Sequence, residues 1–216
     1  MNTLVIASNN PGKLRELQAL LAPLNIEVLP QSDFNISEAE EPHCTFIENA
    51  LAKARHASLH SGLPALADDS GLCVPALNGK PGVLSARFAQ MDSGKPCSDK
   101  SDDKINRDVK NNQALLAALK NVTATSNEHN RAAYYYCALV LVRSHDDPQP
   151  IIAEGIWSGA ILNAARGNGG FGYDPLFLDL HLNKTGAELS TEIKNQISHR
   201  GQALQQLLIK IKALKV

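Results

Sequence analysis

The amino-terminal segment predicts a strand, a tight loop and an amphipathic helix in immediate succession, and this order constrains the fold more than any other feature of the chain. Leu4-Val5-Ile6-Ala7 is a short apolar run, and most of the residues from Ser8 to Gly12 are turn formers. Leucines then recur at helical spacing, at positions 14, 17, 20, 21 and 24. A strand, a glycine-containing loop and a helix are how α/β proteins begin.

Further along, the chain alternates between predicted helices and strands. Thr45-Phe46-Ile47-Glu48 fits a capping box at the start of a helix, and Gly62 ends that helix. Short strands are predicted at residues 26–29 and 65–67. A helix after the polar stretch that ends at Asp103 is expected to turn four apolar residues inward: Ile105, Val109, Leu116 and Leu119.

The second half of the chain predicts a hairpin and a final helix. Tyr134 to Val142 and Ile151 to Leu162 are rich in residues that favour strands, and a turn region at 145–148 separates them. Strands and helices that alternate early, followed by a hairpin, favour an α/β fold with a mixed central β-sheet flanked by helices. After Gly201, the last helix places these residues at helical spacing: Leu204, Leu207, Leu208, Ile211 and Leu214.

Composition and charge exclude several classes of protein. The 216 residues suit one domain, or two lobes that share a cleft, and the net charge of −1 argues against a basic nucleic-acid-binding surface. No apolar run reaches the roughly 18 residues of a membrane helix, and the amino terminus lacks the features of a signal peptide. The four cysteines form no Cys-x-x-Cys pair, which argues against a zinc ribbon or a disulfide scaffold. We therefore expect a cytoplasmic, enzyme-sized domain.

Ser8-Asn9-Asn10-Pro11-Gly12-Lys13 is a candidate phosphate-binding loop. A helix amino terminus offers backbone N–H groups and a favourable dipole to an anion, and Lys13 adds a positive charge there. The alternative is a turn that needs Asn, Pro and Gly only for its dihedral angles. The segment lacks the spacing of a Walker A loop.

Two adjacent carboxylates, Asp68 and Asp69, follow the predicted strand at 65–67 directly. Open α/β folds bind ligands at the carboxyl ends of their strands, and adjacent strand residues point to opposite faces. One Asp can therefore hold Mg²⁺, which binds through one or two carboxylates plus substrate phosphates, while the other makes structural hydrogen bonds. The alternative is a polar strand end that leads into a turn.

The densest signal is the segment from Gly167 to Pro175, where glycine occupies positions 167, 169, 170 and 172. Such a run is costly in chain entropy, so it points to a special backbone conformation or a close approach. Phe171 and Tyr173 within it can stack on a flat ring. The alternative is a tight turn whose aromatic side chains face the core.

Two other groups are weaker candidates when taken singly. Lys194, His199 and Arg200 can hydrogen-bond to the oxygens of an anionic or carbonyl-bearing ligand, or can cap the next helix and remain solvated. The acidic cluster at residues 38–41 would serve a metal only if one of its carboxylates approached Asp69. Otherwise it is a solvated cluster near a helix start.

Taken in order, these segments resemble the inosine triphosphate pyrophosphatase family, also known as the dITP/XTP pyrophosphatases. The resemblance is closest to the bacterial branch, and six motifs in family order span nearly the whole chain. They are Ser8 to Lys13, Thr45 to Ala50 with Lys53, Ala67 to Leu72, Pro81-Gly82 with Ser85-Ala86-Arg87, Gly169 to Pro175, and Ser198 to Gly201.

The resemblance implies a single domain over residues 1–216, with an elongated mixed α/β fold whose two lobes enclose a nucleotide cleft, and usually a homodimer. It also implies Mg²⁺-dependent hydrolysis of ITP, dITP and XTP between the α- and β-phosphates. The products would be the nucleoside monophosphate and pyrophosphate, and the nucleotide pool would be cleansed of deaminated purines. Neither nucleic acid nor a membrane is an expected partner.

The resemblance assigns roles position by position. The triphosphate would be held by Ser8, Asn9, Asn10, Pro11, Gly12 and Lys13, with added positive charge from Lys53. Asp69 would be a metal ligand and the proton acceptor, Glu40 the second metal ligand and Ser70 a substrate contact. The base and sugar pocket would consist of Phe171, Gly172, Tyr173, Asp174, Lys194, His199 and Arg200.

The residue chemistry agrees with these roles. Phosphoryl transfer needs positioning and charge neutralisation more than covalent chemistry. No cysteine or serine has an evident partner base, so direct attack of water on the α-phosphorus is the expected mechanism. Donors such as His199 and Arg200 would favour the C6 carbonyl of inosine over the C6 amino group of adenine.

Two features depart from the family pattern, and two alternative functions stay open. The stretch from Met91 to Asp103 is longer than the usual connection, and because Glu40 and Glu41 are adjacent, either can meet the metal. One alternative is a sensor that binds purine nucleotides without hydrolysis, although a binder of polyanions gains little from paired carboxylates. The other is a Maf-like pyrophosphatase of different base preference, against which the His199-Arg200 pair argues.

Overall fold

The computed structural model describes residues 3–22, 26–91, 104–123 and 131–213. Its strands are β1 (Thr3–Ile6), β2 (Glu27–Pro30), β3 (Ala65–Cys73), β4 (Ala132–Val142), β5 (Ile151–Ile161), β6 (Phe177–Asp179) and β7 (Lys184–Thr185). Its helices are α1 (Pro11–Leu21), α2 (Phe46–Ser61), α3 (Phe88–Met91), α4 (Lys104–Thr123), α5 (Thr191–Ile197) and α6 (His199–Ala213). Short 3-10 turns cover Gln31–Phe34, Pro75–Leu77 and Gly82–Arg87. Residues 92–103 of the predicted polar stretch, and Leu214, lie outside the described residues.

The strands form a mixed sheet in the order β2-β1-β3-β4-β5-β6-β7. β1 runs parallel to both β2 and β3, whereas β6 is antiparallel to β5 and β7. Only residues 143–150 join the neighbouring strands β4 and β5. A parallel crossover needs about a dozen residues or more, so β4 and β5 form a hairpin. The prediction of a mixed α/β fold with a hairpin is confirmed.

The described residues divide into two compact units. Those of Met1–Ser70, Cys137–Ile156 and Asn195–Val216 form unit 1. Those of Gly71–Tyr136 and Trp157–Lys194 form unit 2. None of the described helices combines the length and the hydrophobicity that a bilayer span requires.

Unit 1 is built around an aliphatic core. Leu4 and Ile6 of β1, Leu17 and Leu21 of α1, and Leu204 and Leu207 of α6 belong to one buried cluster. The helical spacing of these leucines therefore marks the buried faces of α1 and α6, as predicted.

Helix α2 begins and ends where the sequence predicts. The Thr45 hydroxyl oxygen accepts a hydrogen bond from the Glu48 N–H at 3.3 Å, and the Thr45 hydroxyl donates to the Glu48 carboxylate at 2.5 Å. Gly62 follows the helix with a φ of +70°, which glycine adopts at little steric cost. Both ends of α2, which carries Lys53, are thus set by local chemistry.

Unit 2 contains a cluster of aromatic side chains among its buried residues. Tyr135, Trp157 and Phe177 lie with ring centroids 4.7–6.0 Å apart. The Trp157 indole N–H donates to Asp179 Oδ2 at 2.7 Å, so the buried polar end of the tryptophan is satisfied.

The predicted inward face of α4 is partly wrong. Leu119 is buried, but Ile105 and Val109 are 71% and 48% exposed. The packed side of the helix carries Asn111, whose amide donates to the Ala86 carbonyl at 3.1 Å and accepts from the Ala89 N–H at 2.9 Å. Backbone groups of the 3-10 turn at Gly82–Arg87 and of α3 thus find partners in a buried polar residue of α4, and the two apolar residues face outward.

Candidate active site

The loop between β1 and α1 is organised by Asn10. Its side-chain oxygen caps α1 by accepting hydrogen bonds from the N–H groups of Gly12 at 3.0 Å and Lys13 at 3.4 Å, and Pro11 occupies the first turn. Ser8 Oγ accepts from the Asn10 N–H at 3.2 Å, and the Asn9 amide donates to Glu38 at 3.4 Å. The N–H groups at the start of α1, where an anion is expected to bind, are therefore already hydrogen-bonded to the Asn10 side-chain oxygen.

Asp68 and Asp69 lie inside β3, which continues to Cys73 instead of ending at Ala67 as predicted. Both are buried, with 2% and 6% exposure. Because adjacent strand residues point to opposite faces, the two carboxylates have different partners. The two-sided arrangement expected from the sequence is therefore present, although within the strand and not beyond its end.

The Asp68 carboxylate lies in a cationic environment. Lys13 Nζ forms an ion pair with Oδ1, and Arg200 Nε donates to Oδ2 at 3.0 Å. The Cys137 thiol also donates to Oδ2, at 3.2 Å. Burial would raise the pKa of Asp68, but the charges of Arg200 and Lys13 outweigh it and hold the pKa well below its usual range. Asp68 is thus an ionised structural partner of two cations.

Asp69 has one bonded oxygen and one open oxygen. Lys53 Nζ lies 2.9 Å from Oδ1, whereas Oδ2 is buried and accepts no hydrogen bond from the described residues. Burial raises the pKa of Asp69 although Lys53 and Lys13 oppose the shift. A buried carboxylate oxygen without a partner is costly unless a cation, water or ligand proton meets it.

Lys53 joins Asp69 to the acidic cluster. Its ammonium lies 2.7 Å from Glu41 Oε1, and side-chain burial leaves it only 12% exposed. Desolvation would lower the pKa of Lys53, but Asp69 and Glu41 together raise it, so the amine stays cationic. Glu40 is exposed, whereas the adjacent Glu41 accepts the hydrogen bond from Lys53.

The residues around Asp69 fit a divalent cation only with help from a ligand. No three His, Cys, Asp or Glu side chains gather into a metal-binding group within the described ranges. Mg²⁺, however, is usually held by one or two carboxylates together with substrate phosphates and water. The unpartnered Oδ2 of Asp69 is an oxygen donor of the required hard type.

Arg200 connects three elements of unit 1. Besides Asp68, its guanidinium forms an ion pair with Glu16 of α1 and donates to Ser70 Oγ at 3.0 Å. Arg200 and His199 are 3% and 6% exposed. A Cβ at Gly155 in β5 would lie 2.0 Å from the His199 carbonyl oxygen, so β5 and the start of α6 are in direct backbone contact. That close approach fixes where α6 presents the two side chains.

The glycine-rich segment of unit 2 forms a second cluster. Asp174 Oδ2 accepts from the Phe171 N–H at 2.8 Å and from Lys194 Nζ at 2.6 Å. A Cβ at Gly170, where φ is +73°, would lie only 2.1 Å from Asp174 Oδ2. The glycine is therefore required both for its conformation and for a close approach.

The two aromatic residues of this segment differ in position. Tyr173 is 3% exposed and its hydroxyl donates to the Ser85 carbonyl at 2.9 Å, so its ring belongs to the interior. Phe171 is half-buried, and Lys194 Nζ lies 4.9 Å from its ring centroid. Phe171 is thus the more accessible ring for stacking.

The predicted residues therefore gather into two groups, one in each unit. Unit 1 holds Ser8, Asn9, Asn10, Pro11, Gly12, Lys13, Glu40, Lys53, Asp69, Ser70, His199 and Arg200, and unit 2 holds Phe171, Gly172, Tyr173, Asp174 and Lys194. Sequence reasoning missed Glu16, which pairs with Arg200, and Cys137, which donates to Asp68. It also missed Asp108 and Asn112, which hydrogen-bond to the backbone of Gly172. Glu16 lies one helical turn after Lys13, so helical spacing could have identified it. The other three are placed only by tertiary contacts.

Comparison with known proteins shows which family this chain resembles over nearly its whole length. A model of the Ham1 family matches residues 4–210. A dITP/XTP pyrophosphatase from Ralstonia nicotianae is 56% identical over 212 residues, which is 98% of this chain and 98% of the relative. Another from Nitrosomonas europaea is 56% identical over 208 residues, covering 96% and 93% of the two chains. The solved structure of a HAM1 protein from Coxiella burnetii superposes with a TM-score of 0.84 at 43% identity and covers 99% of this chain and 100% of its own.

Proposed function

The chain belongs to the Ham1 family, and from that premise we propose that it hydrolyses deaminated purine nucleoside triphosphates, namely ITP, dITP and XTP, to the nucleoside monophosphate and pyrophosphate. The observation that carries this proposal is the buried Asp69 carboxylate, held by Lys53 through one oxygen and open at the other. Relatives that share 56% of their residues with this chain are named dITP/XTP pyrophosphatases.

Two lysines and the start of α1 would bind the triphosphate. Lys13 and Lys53 are both largely buried, so their charges are poorly screened by water. The segment from Ser8 to Gly12 would add hydrogen bonds, because a phosphate oxygen can take the place of the Asn10 side-chain oxygen at the α1 amino terminus. Ser70 Oγ would provide a further contact.

Mg²⁺ would be held by Asp69 and by Glu40, with the adjacent Glu41 as the alternative second ligand. When bound, it would neutralise part of the charge on the phosphates. Asp69 Oδ2 supports this assignment because it is a buried oxygen with no partner within the described residues. Carboxylates and phosphate oxygens are the ligands that this ion prefers.

Asp69 would also accept the proton of the attacking water. Water oxygen forms a bond to the α-phosphorus, the bond between that phosphorus and the bridging oxygen breaks, and pyrophosphate leaves. The water proton passes to the Asp69 carboxylate. Burial raises the pKa of Asp69, which makes this carboxylate a stronger base than an exposed aspartate.

Recognition of the purine would use the remaining predicted residues. Phe171 would stack on the base, while Gly172, Tyr173, Asp174 and Lys194 would shape its surroundings. His199 would donate a hydrogen bond to the C6 carbonyl of hypoxanthine or xanthine, and Arg200 would donate another with an N–H that its contacts with Asp68, Glu16 and Ser70 leave over. The amino group of adenine would leave those donors unpaired, which is the kind of mismatch that discriminates strongly.

Incubation of the protein with ITP, dITP, XTP, ATP and GTP in the presence of Mg²⁺, with identification of the products, tests the proposal. We expect pyrophosphate and the monophosphate from the first three. Release of orthophosphate, or cleavage of ATP as fast as ITP, would refute it.

We further propose that residues 1–216 act as one domain, in a homodimer located in the cytoplasm. A measurement of molecular size in solution tests the dimer.

A further inference from the structure

Helix α4 holds both backbone groups of one glycine in the segment from Gly167 to Asp174. Asp108 Oδ2 accepts a hydrogen bond from the Gly172 N–H at 2.8 Å, and Asn112 Nδ2 donates to the Gly172 carbonyl at 2.9 Å. Asp108 and Asn112 are four residues apart on α4 and therefore lie on one face of the helix. All three residues belong to unit 2.

Gly172 is needed for its backbone conformation and not for a close approach to a neighbour. Its φ is +62°, and a Cβ built there would meet no atom within 4 Å. By contrast, a Cβ at Gly170 would collide with Asp174, and one at Gly169 would lie 2.8 Å from the Ala187 carbonyl oxygen. Glycine has the widest conformational freedom of any residue, so the two hydrogen bonds with α4 restrain a backbone that is intrinsically free.

The Asn112 side chain makes its contact with Gly172 at a cost in stability of the fold. The Gly172 carbonyl requires a donor, which assigns Nδ2 to that contact and leaves Oδ1 on the other side. Oδ1 is buried and accepts no hydrogen bond from the described residues. An unsatisfied buried acceptor is destabilising, and an apolar side chain of similar volume would avoid the penalty. The contact with Gly172 is the feature that an apolar side chain could not supply.

Gly172 lies between Phe171 and Tyr173, and its backbone angles set how the two rings are related. Tyr173 is anchored in the interior by its bond to Ser85, and the Phe171 N–H is held by Asp174, so the orientation of Gly172 between them helps to set where the half-buried Phe171 ring lies. Lys194 Nζ, 4.9 Å from that ring, adds a cation that depends on the same placement.

We propose that Asp108 and Asn112 are positioning residues for purine recognition, which fix Gly172 so that the Phe171 ring is held ready to stack on the base. The proposal rests on the proposed function, because it assumes that Phe171 faces a purine. It assigns α4 a role in selecting the base and none in binding phosphate.

Calorimetric titration of the full chain with two probes in Mg²⁺ buffer tests this role. One probe is the α,β-methylene analogue of ITP, which cannot be cleaved at the α–β bond, and the other is inorganic tripolyphosphate, which has no base. The variants are Asp108→Ala and Asn112→Leu, with Asp108→Asn as the conservative change that keeps an acceptor oxygen. Gln113→Ala, at an exposed position on the same helix, is the matched control.

We expect Asp108→Ala and Asn112→Leu to weaken the Kd for the ITP analogue at least about fivefold and to leave the Kd for tripolyphosphate unchanged within about twofold. Asp108→Asn and Gln113→Ala should bind both probes like the parent. Equal losses for both probes would indicate general damage and would overturn the proposal, as would unchanged binding of the analogue.

The same titrations separate this proposal from the proposed function. A parent protein that binds the analogue but releases no pyrophosphate from ITP would refute hydrolysis, while the pattern among the variants would still decide the role of α4. A parent protein that does not bind the analogue would refute both.

Discussion

Asp68 and Asp69 are consecutive in β3 and both pair with cations, yet the pKa values of their carboxyl groups are shifted in opposite directions. Asp68 is paired with Lys13 and Arg200, and its pKa is held well below the usual range. Burial raises the pKa of Asp69, whose second oxygen has no partner within the described residues. One strand thus supplies a structural anion and a basic carboxylate at neighbouring positions.

Asp69→Asn is expected to abolish hydrolysis without unfolding the protein. An amide cannot accept the water proton, and loss of a general base costs about 10²–10⁴ in rate. The measurement is kcat for ITP together with the melting temperature. Asp146→Asn, at an exposed position, is the matched control and should behave like the parent. Hydrolysis by Asp69→Asn at the parent rate would show that the carboxylate has been misassigned.

Asp68→Asn is expected to destabilise the fold itself. It would leave Lys13 and Arg200 without their shared buried partner. Removal of one member of a buried ion pair typically costs about 3–5 kcal/mol. Urea denaturation gives the free energy of unfolding. A loss below that of an exposed substitution such as Asp146→Asn would contradict the structural role of Asp68.

Lys53→Met is expected to reduce kcat/KM for ITP by about 10²–10³, the cost of removing one preorganised charge donor from an active site. Lys53 is nearly buried between Asp69 and Glu41, so its loss leaves two carboxylates without a counter-charge. Lys53→Arg keeps the charge and should retain more activity than Lys53→Met. Equal kinetics for the two variants would mean that charge is not the property that matters.

Chelation should stop the reaction, and added Mg²⁺ should restore it. Glu40→Gln is expected to raise the Mg²⁺ concentration for half-maximal rate by at least about tenfold, a typical penalty for disturbing a metal site. Glu41→Gln should raise it less, because Glu41 Oε1 is already occupied by Lys53. Titration of the rate with Mg²⁺ for both variants decides between them, and the reverse order would assign the ligand to Glu41.

Asp147→Asn should reveal a pH-dependent contribution of the β4–β5 turn. Hydrogen bonds from the Arg143 side chain, and from the N–H groups of Arg143 and Gln149, lower the pKa of Asp147. A lowered folded-state pKa stabilises the fold fully above the unfolded value of about 3.9 and loses this effect as pH falls further. The difference in melting temperature between parent and variant should be constant from pH 5 to 7.

Below about pH 4 that difference should shrink. Asp33→Asn, at an exposed position, is the control. A difference that stays the same across the acidic range would mean that ionisation of Asp147 does not contribute to stability.

Local signals in the sequence predicted much of the fold. The Thr45–Glu48 capping box and Gly62 define α2, and leucine spacing defines the buried faces of α1 and α6. The family resemblance read from the motifs is confirmed by the match over residues 4–210. Local patterns failed where long-range contacts decide: β3 continues through Asp68 and Asp69 because their charges are neutralised by residues from α1, α2 and α6.

The same limitation explains what was missed at the candidate site. Nothing near Asn112 or Asp108 in the sequence indicates that they bind Gly172, some 60 residues further along the chain. Apolar periodicity instead favoured Ile105 and Val109 as inward residues, and both are exposed. A polar residue that faces inward to serve a distant backbone group has no local signature.

Lys13 and Lys53 are already paired with Asp68 and Asp69, so these two carboxylates compete with any anion that would bind the lysines. An incoming phosphate group has to displace, or share cations with, Asp68 and Asp69. A ligand with several linked anionic groups can bind both lysines at once, which favours displacement of the two carboxylates. A monophosphate has only one such group and gains no such advantage. If the proposed function holds, retention of the triphosphate and easy departure of the nucleoside monophosphate would both follow from this one charge arrangement.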